Sequence, residues 1–190
     1  GHLRLDQEEL NEIVRLVDAA DCQLSIHAVG DLALDMTMNA FDALPRPRGM
    51  RHRIEHAGHL CMTQARINRM KQLDLIPVVS MQFLSAFGDF LDEILGPERA
   101  RVSFALRRML DAGLIVAGSS DQMGSQPEGL NPFWGMWCCL AREALLGTKV
   151  CPDEAITLDE ALKTYTTAAA YAGFEEQVKG TLEPGKYADL

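Results

Sequence analysis

The sequence predicts an α/β fold with a parallel sheet. Three observations carry this. Short apolar runs open near residues 22, 51, 76 and 114, capped amphipathic stretches lie between them, and no Gly/Ser linker or low-complexity segment divides the 190 residues. Alternation of strand and helix implies parallel strands joined by right-handed crossovers. A chain of this length buries a sizeable core, and the prior is one domain.

The elements follow in order. Asp6 and Glu9 form a capping-box pattern, and Leu10, Ile13, Val14 and Val17 follow at helical spacing. Residues 22–27 read as a strand. Residues 32–44 read as a helix capped by Asp31 and ended by "PRP". A strand over 51–56 precedes a helix over 64–72, with Thr63 as its cap. "LIPVVSMQ" (75–82) is a strand, 98–111 a helix with Arg99, Arg101, Arg107 and Arg108 on a solvated face, and "LIVAGSS" (114–120) a strand. Thr157 and Glu160 box a last helix over 157–172, and "KGTLEPGKYADL" then reads as a strand just starting. Trp134 and Trp137, three apart, share one helix face. Four strands are few for this pattern, which suggests part of a longer protein.

Composition excludes several classes. The formal net charge is −9 with no basic stripe, which argues against nucleic acid and anionic membranes as partners. No apolar run approaches the ~20 residues that span a bilayer, and the N-terminus lacks the pattern of a signal peptide. Five cysteines without a C-x-x-C pair suit reduced thiols in a cytoplasmic protein.

Sites in parallel α/β folds collect at the C-terminal ends of strands. Those ends carry His27, His56, Gln82 and, just past the last strand, Asp121. Two imidazoles and a carboxylate are ligands that a zinc-like ion takes, leaving a position for water. Taken singly, each has a plain structural reading: a hydrogen-bonded strand-end histidine, or an aspartate that forms a turn. Their placement at successive strand ends is what joins them.

A second constellation competes. His52, His56 and His59 are spaced H-x-x-x-H-x-x-H, and on a helix the first two would share a face. On a strand they would lie ~13 Å apart, too far for one ion. His59 is then a loop residue near the rim, facing substrate, and His52 sits at the bottom of its strand. The Gly/Pro-rich stretch 118–133 suits a substrate loop.

"IHAVGD", "HRIEHA", "VVSMQ", "DAGLIVAGSSDQ", "EALKTYTTAAAYAGFEE" and "KGTLEPGKYADL", in this order, resemble the C-terminal part of amidohydrolase family 3, the YtcJ-like metal-dependent hydrolases that include N-substituted formamide deformylase. The resemblance runs along essentially all of the chain. It implies the C-terminal half of a distorted TIM (β/α)8 barrel of the amidohydrolase superfamily over residues 1–178, and the start of a composite β-sandwich over 179–190. It implies that His27, His56 and Asp121 bind one or two divalent metal ions, most often Zn2+, and that Asp121 handles the proton of the attacking water. Gln82 and His59 would lie near substrate. The family's first-strand H-x-H and its fourth-strand ligand are absent here, and "GSSD" is one serine longer than the usual "GSD".

The expected function is hydrolysis of a C–N bond in an amide, formamide or related small molecule through metal-activated water, in the full-length parent. The chain by itself is expected to be inactive and aggregation-prone, with open sheet edges. A homo-oligomer of the full-length protein stays open. The rival expectation is a non-catalytic α/β small-molecule-binding or scaffolding relative, which needs no ligand at His27, His56 or Asp121.

Overall fold

A computed structural model describes residues 2–45, 49–122 and 127–189. Its centre is a parallel sheet of four strands in sequential order, β1 (Ser25–His27), β2 (Arg53–Glu55), β3 (Ile76–Val79) and β4 (Ala117–Gly118). Between them run α1 (Gln7–Ala19, preceding β1), α2 (Asp31–Asp42) and α3 (Gln64–Gln72). The β3-to-β4 connection is more elaborate, with α4 (Gln82–Phe87), α5 (Leu91–Leu95), α6 (Pro97–Ala100) and α7 (Leu106–Asp111). After β4 come α8 (Pro132–Ala141), α9 (Leu158–Tyr165) and α10 (Thr167–Ala172).

The local signals act as expected where they are local. Asp6 accepts the Glu9 N–H while the Glu9 carboxylate accepts the Asp6 N–H, so α1 starts with a complete capping box. Thr63 accepts the Arg66 N–H at α3, and Thr157 and Glu160 box α9. Trp134 and Trp137 stack on α8 with ring centroids 4.8 Å apart.

Five expectations are corrected. Asp31 is not a cap: Gly30 holds that position, and the Asp31 carboxylate instead pairs with Arg99 at 2.6 Å. The helix expected over 98–111 is two helices. Between α6 and α7 the main chain turns to the 58–62 segment: Val102 O accepts from Met62 N–H, Phe104 N–H donates to His59 O, and Ala105 N–H donates to Gly58 O. Arg107 and Arg108 there are not a solvated face, because they tie α7 to Glu160 and Glu154. The last helix breaks at Thr166, where Thr164, Thr166 and Thr167 hydroxyls bond back to carbonyls one turn earlier. Such bonds compete with the helical ladder. In 179–189 no strand forms among the described residues; Tyr187 N–H folds back to Val178 O at 2.8 Å.

The sheet has two unlike faces. Ile26, Ile54 and Val79 face the main core together with Leu34, Met38, Ile67, Met70 and Met109. On the other face Ile76, Val78 and Ala117 meet Tyr171 and Ala172 of α10. Strand period places Ser25, His27, Arg53 and Glu55 on that second face too, so it is polar at β1–β2 and apolar at β3–β4. No helix among the described residues is long and apolar enough to cross a membrane.

Candidate metal centre

β1 ends at His27, whose side chain is exposed. β2 ends one residue before His56. That residue turns into the left-handed region (φ +66°) and donates its N–H to Val78 O at 2.8 Å. The turn puts the His56 ring edge-on to His27, with centroids 4.5 Å apart. β4 ends at Gly118, and Ser119 N–H holds Val79 O at 2.9 Å. Asp121 follows at φ +38°, its N–H bonded to Ser119 Oγ at 3.3 Å. His56 Nε2 lies 3.7 Å from Asp121 Oδ2, too far for a hydrogen bond. The three residues thus share the C-terminal rim, and two of them have the positive φ that Asp and His tolerate better than most residues and that gathers at functional sites.

His56 is buried, and its Nδ1 has no hydrogen-bond partner among the described residues. Burial, with His27 beside it, holds its pKa below the ordinary histidine value, while Asp121 and Glu55 pull the other way. The ring is therefore neutral, the form that offers a lone pair. No group of three or more His, Cys, Asp or Glu side chains among the described residues is placed to hold a metal ion.

His59 is deeply buried, at 4 % exposure. Its Nε2 accepts the Ser80 N–H at 2.8 Å, its ring lies 5.5 Å from both Phe83 and Phe104, and burial pushes its pKa down to about 3. Gly58 makes this turn possible: its φ is +97°, and a Cβ there would meet Met109 Cε at 2.6 Å. Gln82 is not on the strand expected over 75–82. β3 stops at Val79 and Gln82 opens α4, because Ser80 and Met81 carbonyls are taken by Phe83 and Leu84 N–H groups. Gln82 is 1 % exposed, and its Nε2 donates to Ser120 O. Of the loop expected over 118–133, Ser119–Asp121 lie at this rim, Pro127–Leu130 form a short 3-10 turn and α8 starts at Pro132, while residues 123–126 fall outside the described residues.

His52 is at the other end of β2. Its Nδ1 accepts the Leu24 N–H at 3.0 Å, and its ring stacks on Phe41 at 5.0 Å. The strand between them separates His52 from His56, so the H-x-x-x-H spacing does not form a helical face. Sequence reasoning passed over Glu55. It is in register with His27 on the same face, accepts the Ser25 hydroxyl, and lies 3.5 Å from Arg53 Nε. The R-x-E alternation just before His56 was the signal for it.

Residues 1–190 match the Amidohydrolase family. The chain belongs to it. It is 31 % identical over 188 residues to N-substituted formamide deformylase of Arthrobacter pascens, covering 97 % of this chain and 34 % of that protein. It is 32 % identical over 191 residues to protein LONG AFTER FAR-RED 3 of Arabidopsis thaliana, covering 98 % and 32 %. The chain therefore spans about a third of the length of these relatives. Among solved structures it is similar to an uncharacterized metal-dependent hydrolase from Pyrococcus horikoshii OT3, with a TM-score of 0.84 and 24 % identity over 99 % of this chain and 37 % of that one. At that identity the likeness establishes the fold: the four-stranded amidohydrolase sheet is part of a TIM-type barrel.

Proposed function

We propose that the protein carrying this chain is a metal-dependent hydrolase of a C–N bond. One observation carries the reading: on the C-terminal rim of an amidohydrolase sheet, the buried His56, whose Nδ1 has no partner among the described residues, sets its ring edge-on to His27 and its Nε2 3.7 Å from Asp121 Oδ2. An imidazole nitrogen desolvated without a partner is costly, and a cation would satisfy it. His27 and His56 would hold a divalent metal, with Zn2+ matching the nitrogen-rich donors. When bound, such an ion polarises a carbonyl and acidifies water.

The chain's own residues then divide the work. Asp121, with a 37 % exposed side chain on a tight turn, takes the proton of the attacking water and delivers it to the leaving nitrogen. His59, held by Ser80 N–H, supports the turn that aims His56. Phe83, with its ring 6.0 Å from that of His56, limits water on that side. The name of the Arthrobacter pascens relative points to an N-substituted formamide as substrate class. A small-molecule substrate and a cytoplasmic setting belong to the same reading, the latter supported by five free thiols.

The test is elemental analysis and steady-state hydrolysis of an N-substituted formamide by the full-length protein. We expect about one or two metal ions per chain and amide hydrolysis, with His56→Ala depleting the metal and excess metal partly restoring activity. A wild-type protein that binds no metal and cleaves no amide, formamide or related C–N bond returns the chain to the non-catalytic barrel relatives.

A further inference from the structure

The end of β3 is tied to both loops that carry the site. Val78 O accepts the His56 N–H and Ser80 N–H donates to His59 Nε2, which fixes the β2 side. Val79 O accepts the Ser119 N–H and Gln82 Nε2 donates to Ser120 O, which fixes the β4 side. Three of these four bonds use the β3 backbone, one of them accepted by the His59 side chain. The fourth, on the β4 side, is given by the Gln82 side chain.

We infer that Gln82 is a positioning residue for Asp121 rather than a substrate contact. Its burial at 1 % leaves no surface for a ligand. Among the described residues, its side chain's one hydrogen bond goes to the carbonyl immediately before Asp121, at the point where the backbone enters the left-handed region. Among the described residues, Asp121 itself adds to this turn a 3.3 Å bond from its N–H to Ser119 Oγ. The other end of the Gln82 amide, Oε1, is buried without a partner among the described residues. A buried polar group satisfied on one side only is destabilising, and an apolar side chain of the same size would pack there without that cost. The bond to Ser120 is what the amide contributes. By fixing the Ser119–Asp121 turn it sets where the carboxylate points. This rests on the reading of Asp121 as the proton-transfer residue.

The experiment uses the full-length protein with Gln82→Met, which keeps length and removes the donor, and Gln82→Asn, which keeps the amide but shortens its reach. Steady-state kinetics on an N-substituted formamide are paired with amide hydrogen exchange over residues 117–122. Ser85→Ala is the control, because Ser85 lies on the same helix with a buried hydroxyl that has no partner among the described residues. Both Gln82 variants should lose about 10- to 100-fold in kcat, as loss of a supporting partner typically does. KM should stay unchanged, exchange at 119–122 should quicken, and Gln82→Met should add little on top of Asp121→Asn. The Ser85 control should change neither readout. A rise in KM at unchanged kcat would make Gln82 a substrate contact. Unchanged kcat and exchange, additive losses with Asp121→Asn, or an equal loss in Ser85→Ala would each overturn the inference. If the wild type itself is inactive and metal-free, the hydrolase reading falls, while hydrogen exchange still decides whether Gln82 holds the turn.

Discussion

At the N-terminal rim of the sheet, Arg51 reaches Glu176 with bonds of 3.0 and 2.8 Å, donates to Tyr171 O at 2.7 Å, and lies over the rings of Tyr171 and Phe174 at 3.6 and 4.4 Å. Beside it Gln23 Nε2 donates to both Arg51 O and Ala172 O, and His52 accepts from Leu24 N–H. At the C-terminal rim, His56 Nδ1 and Gln82 Oε1 have no partner among the described residues, and His56 and Asp121 stand 3.7 Å apart. One sheet carries both rims. The lower one uses arginine, histidine and glutamine to close the fold over α10 and the segment after it. The upper one leaves the same kinds of atoms unpaired. Desolvated polar atoms without partners are expensive, so the upper rim carries a cost at His56 and Gln82 that the lower rim avoids by pairing.

The largest effect that separates the rims is expected at Asp121. Asp121→Asn in the full-length protein keeps shape and removes basicity. kcat should fall by ~10²–10⁴-fold, the usual weight of general acid–base catalysis, with KM nearly unchanged and metal retained. The global unfolding free energy should hardly move, because the side chain is partly exposed and makes no short hydrogen bond. If kcat stays near wild type with metal bound, the base lies elsewhere in the barrel and the upper rim loses its proton shuttle.

The lower rim should answer in the opposite way. Arg51→Met removes a bidentate carboxylate pair and two ring contacts while keeping most of the aliphatic stem. A loss of about 2–3 kcal/mol in unfolding free energy is expected, combining charge-assisted hydrogen bonds and cation–π contact. Urea denaturation would read it as a lowered midpoint at constant slope. kcat should not change. A catalytic defect without a stability defect would break the division between the rims.

What the sequence made legible follows the same line between local and distant causes. Asp6 with Glu9, Thr63, and Thr157 with Glu160 act within one helical turn, and each cap forms as read. The four strands were legible from apolar runs, and their sequential parallel order follows from the alternation. His27, His56 and Asp121 were legible as site candidates because strand direction alone assigns residues to a rim. What was not legible depends on partners far along the chain. Asp31 reaches Arg99, 68 residues on, with one oxygen and takes the Leu32 N–H with the other, rather than standing as the cap. Phe104 leaves the helical pattern to bond the His59 carbonyl. His59 turns inward because Ser80 N–H needs an acceptor, and a loop histidine in sequence carries no mark of that. Gln82 faces Ser120 because β3 ends three residues early, and strand ends are the least readable part of any strand.

The smallest effect concerns protons and touches both rims. Burial lowers the pKa of His52, His56 and His59, the last to about 3. Each is neutral when folded and takes up a proton near 6.5 when unfolded. Their contribution to stability is therefore full above about pH 6.5 and declines as pH falls toward the folded values, by about 1.4 kcal/mol per pH unit for each group within its window. Between pH 6.5 and 5 most carboxylates stay ionised, so the decline there reports the histidines. His59→Gln keeps an acceptor for Ser80 N–H and cannot titrate. In metal-free protein, urea denaturation from pH 7.5 to 5 should show a shallower loss for His59→Gln than for wild type, by up to one proton's slope. The two proteins should differ least at pH 7.5, where His59 is neutral in both states. If the slopes coincide, His59 is protonated in the folded protein, the Ser80 N–H bond to its Nε2 does not persist, and the turn that aims His56 is looser than its geometry shows.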